Sequence, residues 1–251
     1  LPDGLGECLS SIEDVIKGFF KGRKNNISPS GTSLTERQIW YIINGYQDKN
    51  QDMFKIETRI KMLVSGVAEH LVVFLMKEAG IPIENTQKRV NVVIEPSGVA
   101  MKGSIDYTLD RGVRDFKCTN DESYKQKFRG GPTLAENDPF GYLAQGGLYG
   151  KGMEMPFTGW DVYNLNNGHI KAVSAGSIQN EMEAQIDFFQ HKLEIAREAK
   201  DVNELEQCYE MQDNGTIAWQ CARCNFIKQC FPEAENIGEP GKPRYLPRGK
   251  K

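Results

Sequence analysis

The sequence has no long apolar run. Its most apolar stretch, Leu71 to Met76, falls well short of the roughly 20 residues a membrane-spanning helix needs, so no such span is expected. Residues Leu1 to Ser10 lack a basic segment followed by an apolar one, so no secretory signal is expected. Basic excess is missing too. With 31 Lys and Arg against 34 Asp and Glu, the formal net charge is −3, which argues against a protein that grips duplex nucleic acid by charge alone. Internal repeats are absent, so a solenoid is not expected.

The 251 residues are 39% hydrophobic and 26% charged, enough for one sizeable globular domain with an appended module. Six cysteines without a secretion signal point to a reducing compartment, such as the cytoplasm, with thiols used for metal. Apolar spacing predicts helices over 10–22, from Ser33 or Thr35 to Tyr46, over 53–79, 140–149 and 178–199. On the third of these, Ile56, Ile60, Leu63, Val64, Val67, Leu71 and Leu75 form one stripe. Strands are predicted over 88–95, 99–109, 112–118, 158–164 and 169–175, with turns at 96–98, 110–112 and 166–168. Residues 120–139 read as a polar loop and those from Gly238 onward as a flexible tail. The expected organisation is an α/β fold with a central mixed sheet. A helical segment spans 1–50, the core 51–200, a cysteine module 201–235 and the tail 236–251.

The richest segment runs from Gly103 to Lys117, where two short apolar runs each carry an acid, Asp106 and Asp115. If both runs are strands, Asp115 and Lys117 share one face while Phe116 and Cys118 point into a core. Two carboxylates on neighbouring strands can hold Mg²⁺ or Mn²⁺ through oxygen. A lysine beside them suits metal-assisted hydrolysis of a phosphodiester. Downstream, Gln145 and Tyr149 lie four residues apart on one helix face, and Gly146 and Gly147 between them would let a nucleic-acid strand approach. The basic cluster Lys125, Lys127, Arg129 follows the site closely and could meet phosphates. Upstream, His70 sits on the long helix.

In this order, His70, Gly103 with Asp106, Asp115 with Lys117, and Gln145 with Tyr149 resemble the motif series of RecB-like nucleases in the PD-(D/E)xK superfamily. The resemblance implies a restriction-endonuclease-like αβββαβ core and metal-dependent cleavage of DNA, of the exonuclease kind, in recombination, repair or phage DNA processing. It makes His70, Asp106, Asp115 and Phe116 the Mg²⁺ or Mn²⁺ site. Lys117 would position the attacking water, with Gln145 and Tyr149 against the DNA. Implied partners are DNA and recombination or helicase proteins. The competing reading is a non-catalytic nucleic-acid-binding or assembly subunit, against which the intact Asp-Asp-Lys set argues.

Cys208, Cys221, Cys224 and Cys230 form C-x12-C-x2-C-x5-C. A C-x2-C pair presents two thiolates to one metal, and zinc and iron–sulfur clusters both take four. The pattern resembles the C-terminal cysteines of iron–sulfur nucleases of the AddB and CRISPR-adaptation types, which implies a 4Fe–4S cluster, with zinc as the alternative. Cys8 is the reserve for Cys208 as the remaining ligand.

Overall fold

Alternation along residues 112–119 sets the layout of the protein. The computed structural model describes residues 4–21, 26–47, 56–95, 97–206, 211–239 and 242–247. Strand β4 (Gly112–Thr119) lies inside a four-stranded sheet with β3 (Tyr107–Leu109), β5 (Phe157–Asn164) and β6 (Ile170–Ser174), in the order β3-β4-β5-β6. β4 pairs antiparallel with β3 and parallel with β5, and β6 is antiparallel to β5, so the sheet is mixed. Its odd residues and its even residues face different helices. Phe116 is buried with Tyr107, Val73 and Ile83, and the Cys118 thiol meets the Ser65 carbonyl, which puts helix α3 (Ile56–Glu78) on that face. Val113 joins the larger core, and Lys117 reaches Gln145 on helix α6 (Tyr142–Met153) on the other.

The β3–β4 hairpin turns on Asp110 and Arg111, both with left-handed backbone (φ 50° and 60°). Two left-handed residues in a two-residue loop match the twist of the flanking strands. Gly112, which closes the expected turn and opens the expected strand, is the first residue of β4. A Cβ there would stand 2.2 Å from Thr158 Cγ2, so this glycine serves packing against β5.

Helix α1 (Leu5–Lys21) packs on α3. Helix α2 (Glu36–Ile43) packs on α7 (Gln179–Glu198), and its Ile39, Trp40 and Tyr41 belong to the main core. Helix α2 is thus built into the main core of the domain. A second hairpin, β1 (Arg89–Ile94) with β2 (Val99–Ser104), packs on α6 through β1. β2 and β3 were expected as one strand, but the chain breaks at Ile105-Asp106 between them. Trp160, Phe189, Leu143 and Leu148 are fully buried, each worth roughly 1.5–3 kcal/mol relative to exposure.

Two expectations are corrected, and the α3 stripe is placed. Residues 120–139 are no loop: they form α4 (Asp121–Gln126), capped by the Asn120 side chain, and α5 (Gly131–Glu136), with Leu134 buried. The apolar stripe on α3 is only partly covered, with Leu63 and Val67 half-buried. Ile60, Val64, Leu71 and Leu75 are exposed, and Val73 is the buried one among the described side chains of this helix. Finally, part of the expected tail is structured. Short helices α8 (Trp219–Ala222) and α9 (Ile227–Cys230) lead to strand β7 (Glu235–Asn236), which pairs with β8 (Tyr245–Leu246). Tyr245 is buried with Ile217, Ala222 and Ile227. Among the described residues, no helix is long and apolar enough to cross a membrane.

Candidate active site

The break at Ile105-Asp106 gives Asp106 its position. Ile105 is fully buried, and Asp106, the next residue, turns its carboxylate onto β4, where it accepts a hydrogen bond from the Phe116 N–H at 2.6 Å. Asp115 and Lys117 share the α6 face of β4, as alternation requires. Lys117 Nζ lies 2.6 Å from Asp115 Oδ2 and donates to Gln145 Oε1 at 3.2 Å. Gln145 Nε2 in turn donates to Tyr149 Oη at 3.3 Å. The ammonium also sits 4.8 Å from the centre of the Tyr142 ring. One strand and one helix thus present Asp115, Lys117, Tyr142, Gln145 and Tyr149 together.

A third acid joins them. Glu69, on α3, accepts a hydrogen bond from Gln87 Nε2 at 2.6 Å, shares one with Asp106, and interacts electrostatically with Asp115 and Lys117. The sequence reading chose its neighbour, His70. Among the described residues no hydrogen bond links the His70 ring to either aspartate. Burial lowers its pKa, and its carbonyl accepts the Cys8 thiol. Glu69 is the acid that sequence reasoning missed. Phe116 contributes its main-chain N–H to Asp106, while its ring stacks on Tyr163 in the core.

The electrostatics fit acids crowded beyond what one lysine balances. Burial, then the Asp115 and Glu69 carboxylates, push the Asp106 carboxyl well above the ordinary range. Burial and Asp115 likewise raise Glu69. For Lys117, burial opposes the charge, but Asp115 and Asp106 outweigh it and the pKa rises. Tyr149 is pushed up to about 12 by burial and by Asp115. Asp115 Oδ2 is buried and accepts no hydrogen bond of good geometry, although the lysine charge lies beside it.

Gly146 and Gly147 do not open α6 to solvent. A Cβ on Gly146 would meet the Phe157 ring at 2.6 Å, and one on Gly147 would meet Ile186 Cδ1 at 2.6 Å. They serve close packing of α6 on β5 and α7. Of the basic cluster, Lys127 lies over the Phe140 ring at 4.2 Å and lines a groove of about 670 Å³ with Lys61, Thr119, Phe140 and Tyr142. Lys125 and Arg129 are exposed beside it. The groove opens at the end of β4, at Cys118 and Thr119, and shares Tyr142 with Lys117.

Cys221, Cys224 and Cys230 line one cavity together with Arg37, Gln38, Tyr41 and Phe226. Cys208 lies outside the described residues. Cys8 does not line this cavity. It lies buried on α1, where its thiol donates to His70 O of α3. Cys118 is a partly buried core thiol pushed up to about 12, by burial first and then by Glu69. Among the described residues, no three His, Cys, Asp or Glu side chains are gathered closely enough to hold one ion as they stand.

No protein-family model matches the chain, and no curated protein matches it. A solved structure, the crystal structure of SSO0001, aligns over 86% of this chain and 92% of its own, at 11% identity and a TM-score of 0.47. That likeness is too distant to carry a conclusion.

Proposed function

We propose that the protein is a Mg²⁺- or Mn²⁺-dependent DNA nuclease of the PD-(D/E)xK, restriction-endonuclease-like kind, acting in the cytoplasm, with a metal–thiolate module near its C-terminus. One observation carries the reading. Three carboxylates, Glu69, Asp106 and Asp115, gather around one lysine, and burial, joined by their mutual repulsion, raises the Glu69 and Asp106 pKa values. A site with this surplus of acid is matched to a divalent cation, whose preferred donors are such oxygens. When bound, the cation supplies charge stabilisation at the phosphate and acidifies a water.

The rest belongs to the chain. Lys117 stays protonated beside Asp115 and directs its ammonium toward the water or a phosphate oxygen. Gln145 fixes Lys117, and Tyr149 fixes Gln145, so the lysine is preorganised. The groove with Lys127, Phe140 and Tyr142 offers a cation and ring faces to the strand leading into the site. The action proposed is exonucleolytic. For the module, the three sulfurs at one cavity are the donors that iron–sulfur clusters and zinc both take, and an iron–sulfur cluster is the reading we favour.

The test is incubation with labelled linear and circular DNA, single- and double-stranded, in Mg²⁺, Mn²⁺ or chelator. Cleavage of linear substrates that chelator abolishes is expected. Binding of DNA without cleavage under every condition would instead support a non-catalytic subunit.

A further inference from the structure

Helix α2 meets the cysteine module with three side chains. Arg37 Nη2 donates to the Leu205 carbonyl at 2.6 Å, and its Nε to the carbonyls of Leu205 and Glu206 at 2.9 Å. Gln38 Nε2 donates to Cys224 Sγ at 3.2 Å. Tyr41 Oη lies 3.6 Å from Cys230 Sγ. Helical geometry puts 37, 38 and 41 on neighbouring parts of one face, so a single element addresses the entry to the module and two of its sulfurs.

The orientation of Gln38 is fixed by the helix start. Thr35 caps α2, and Gln38 completes a capping box. The Thr35 N–H donates to Gln38 Oε1 at 3.0 Å. A backbone N–H requires an acceptor, so the amide oxygen must face Thr35 and the nitrogen must face Cys224. The same sulfur also receives the Phe226 N–H at 3.3 Å. Two donors converge on one sulfur in a largely apolar cavity. A neutral thiol is a weak acceptor, whereas a charged acceptor strengthens such bonds. The convergence therefore suits a metal-bound thiolate. Tyr41 is aimed by its ring, which stacks on Phe226 with centroids 5.0 Å apart and planes at 24°.

We propose that Gln38 and Tyr41 are positioning residues for the metal–thiolate centre. They donate hydrogen bonds to the Cys224 and Cys230 sulfurs and thereby set how firmly the centre holds its metal. The hydrogen bonds stabilise the thiolate charge, and α2, which carries the donors, is anchored in the core through Trp40 and Ile39. This inference rests on the metal–thiolate part of the proposed function and is independent of the nuclease chemistry.

The experiment uses the full chain purified without oxygen, with iron, zinc and labile sulfide quantified. Metal release to an excess of chelator is then followed by absorption for the wild type, Gln38→Glu and Tyr41→Phe. Gln38→Glu keeps the capping acceptor but replaces the donating amide with an anion. Tyr41→Phe keeps the ring stack and removes the hydroxyl. Melting curves confirm that each variant folds, and Tyr41→Phe alone suffices if Gln38→Glu does not. Each variant is expected to bind the wild-type amount of metal and release it about tenfold faster or more, the loss usual for outer contacts of metal ligands. If the metal is iron, the reduction potential should also move to more negative values, because hydrogen bonds to sulfur favour the reduced cluster. Wild-type release rates and potential in both variants, with metal present, would overturn the positioning role and leave the metal reading standing. A wild-type protein without thiolate-bound metal would overturn both.

Discussion

Gly146 distinguishes packing from substrate access in α6. A Cβ added there would stand 2.6–2.8 Å from three atoms of the Phe157 ring. Phe157 is 3% exposed and lies edge-on to Trp160 at 4.9 Å, so the ring has nowhere to move. Overpacking costs about 1–3 kcal/mol, and an immobile ring places this site at the upper end. Alanine regains about 1 kcal/mol of helix propensity. The net loss for Gly146→Ala is about 2 kcal/mol, or about 4–8 °C in Tm for a chain of this size. At Gly147 the clash is with Ile186 Cδ1, the end of a flexible side chain. Its cost is about 1 kcal/mol and cancels the propensity gain, so Gly147→Ala should melt with the wild type. Thermal unfolding by circular dichroism of the three proteins without DNA is the assay. A Gly146→Ala protein as stable as the wild type, or more so, would refute the packing argument. It would return the glycine to a role in admitting a nucleic-acid strand.

Other consequences follow from the same contacts. Asp106 and Glu69 have folded pKa values raised above their unfolded ones, so the folded protein holds protons that the unfolded chain sheds. That stability is present below the unfolded values, about pH 4, and is lost as pH rises through the raised folded values. Asp106→Asn should therefore raise the Tm of the metal-free protein in neutral and alkaline buffer, with the gain shrinking toward acid; a gain that grows toward acid would reverse the assigned shift. Arg114 pairs with the buried Asp161, which also accepts the Tyr107 hydroxyl. Arg114→Leu should cost about 3–5 kcal/mol by leaving a buried charge uncompensated, measurable by denaturant unfolding. Glu69→Gln should weaken Mn²⁺ binding in calorimetric titration more than His70→Gln does; the opposite order would restore His70 to the site.

The sheet and the pair on β4 were legible because strand alternation is local. Asp115 and Lys117 must share a face once Phe116 and Cys118 are buried opposite them. The place of Glu69 was not legible. It neighbours His70 on α3, a helix with apolar residues on more than one side. Which of the two turns inward depends on how α3 lies across β4, and that is a tertiary matter. The same ambiguity holds for Ile60, Val64, Leu71 and Leu75, whose regular spacing marks a helix without saying which way it faces; they face outward. Helices α4 and α5 are one to two turns long, too short for periodicity to show, although Asn120 ahead of Asp121-Glu122 is a cap signal that could have revealed α4. Tyr245 pairs through a two-residue strand, which leaves no pattern to read. The role of Gly146 and Gly147 was hidden for a related reason: a glycine in a helix does not reveal whether the space beside it holds a ligand or a phenyl ring.

The central claim is that Asp106, Asp115 and Lys117 make a phosphodiesterase site. It is tested most directly by single-turnover cleavage of one labelled oligonucleotide in Mn²⁺, with protein in excess. Wild type, Asp115→Asn and Lys117→Met would be compared at matched DNA occupancy. The account predicts manganese-dependent cleavage by the wild type and a loss of about a hundredfold or more in each variant, with DNA affinity little changed. Cleavage at the wild-type rate in both variants would contradict it.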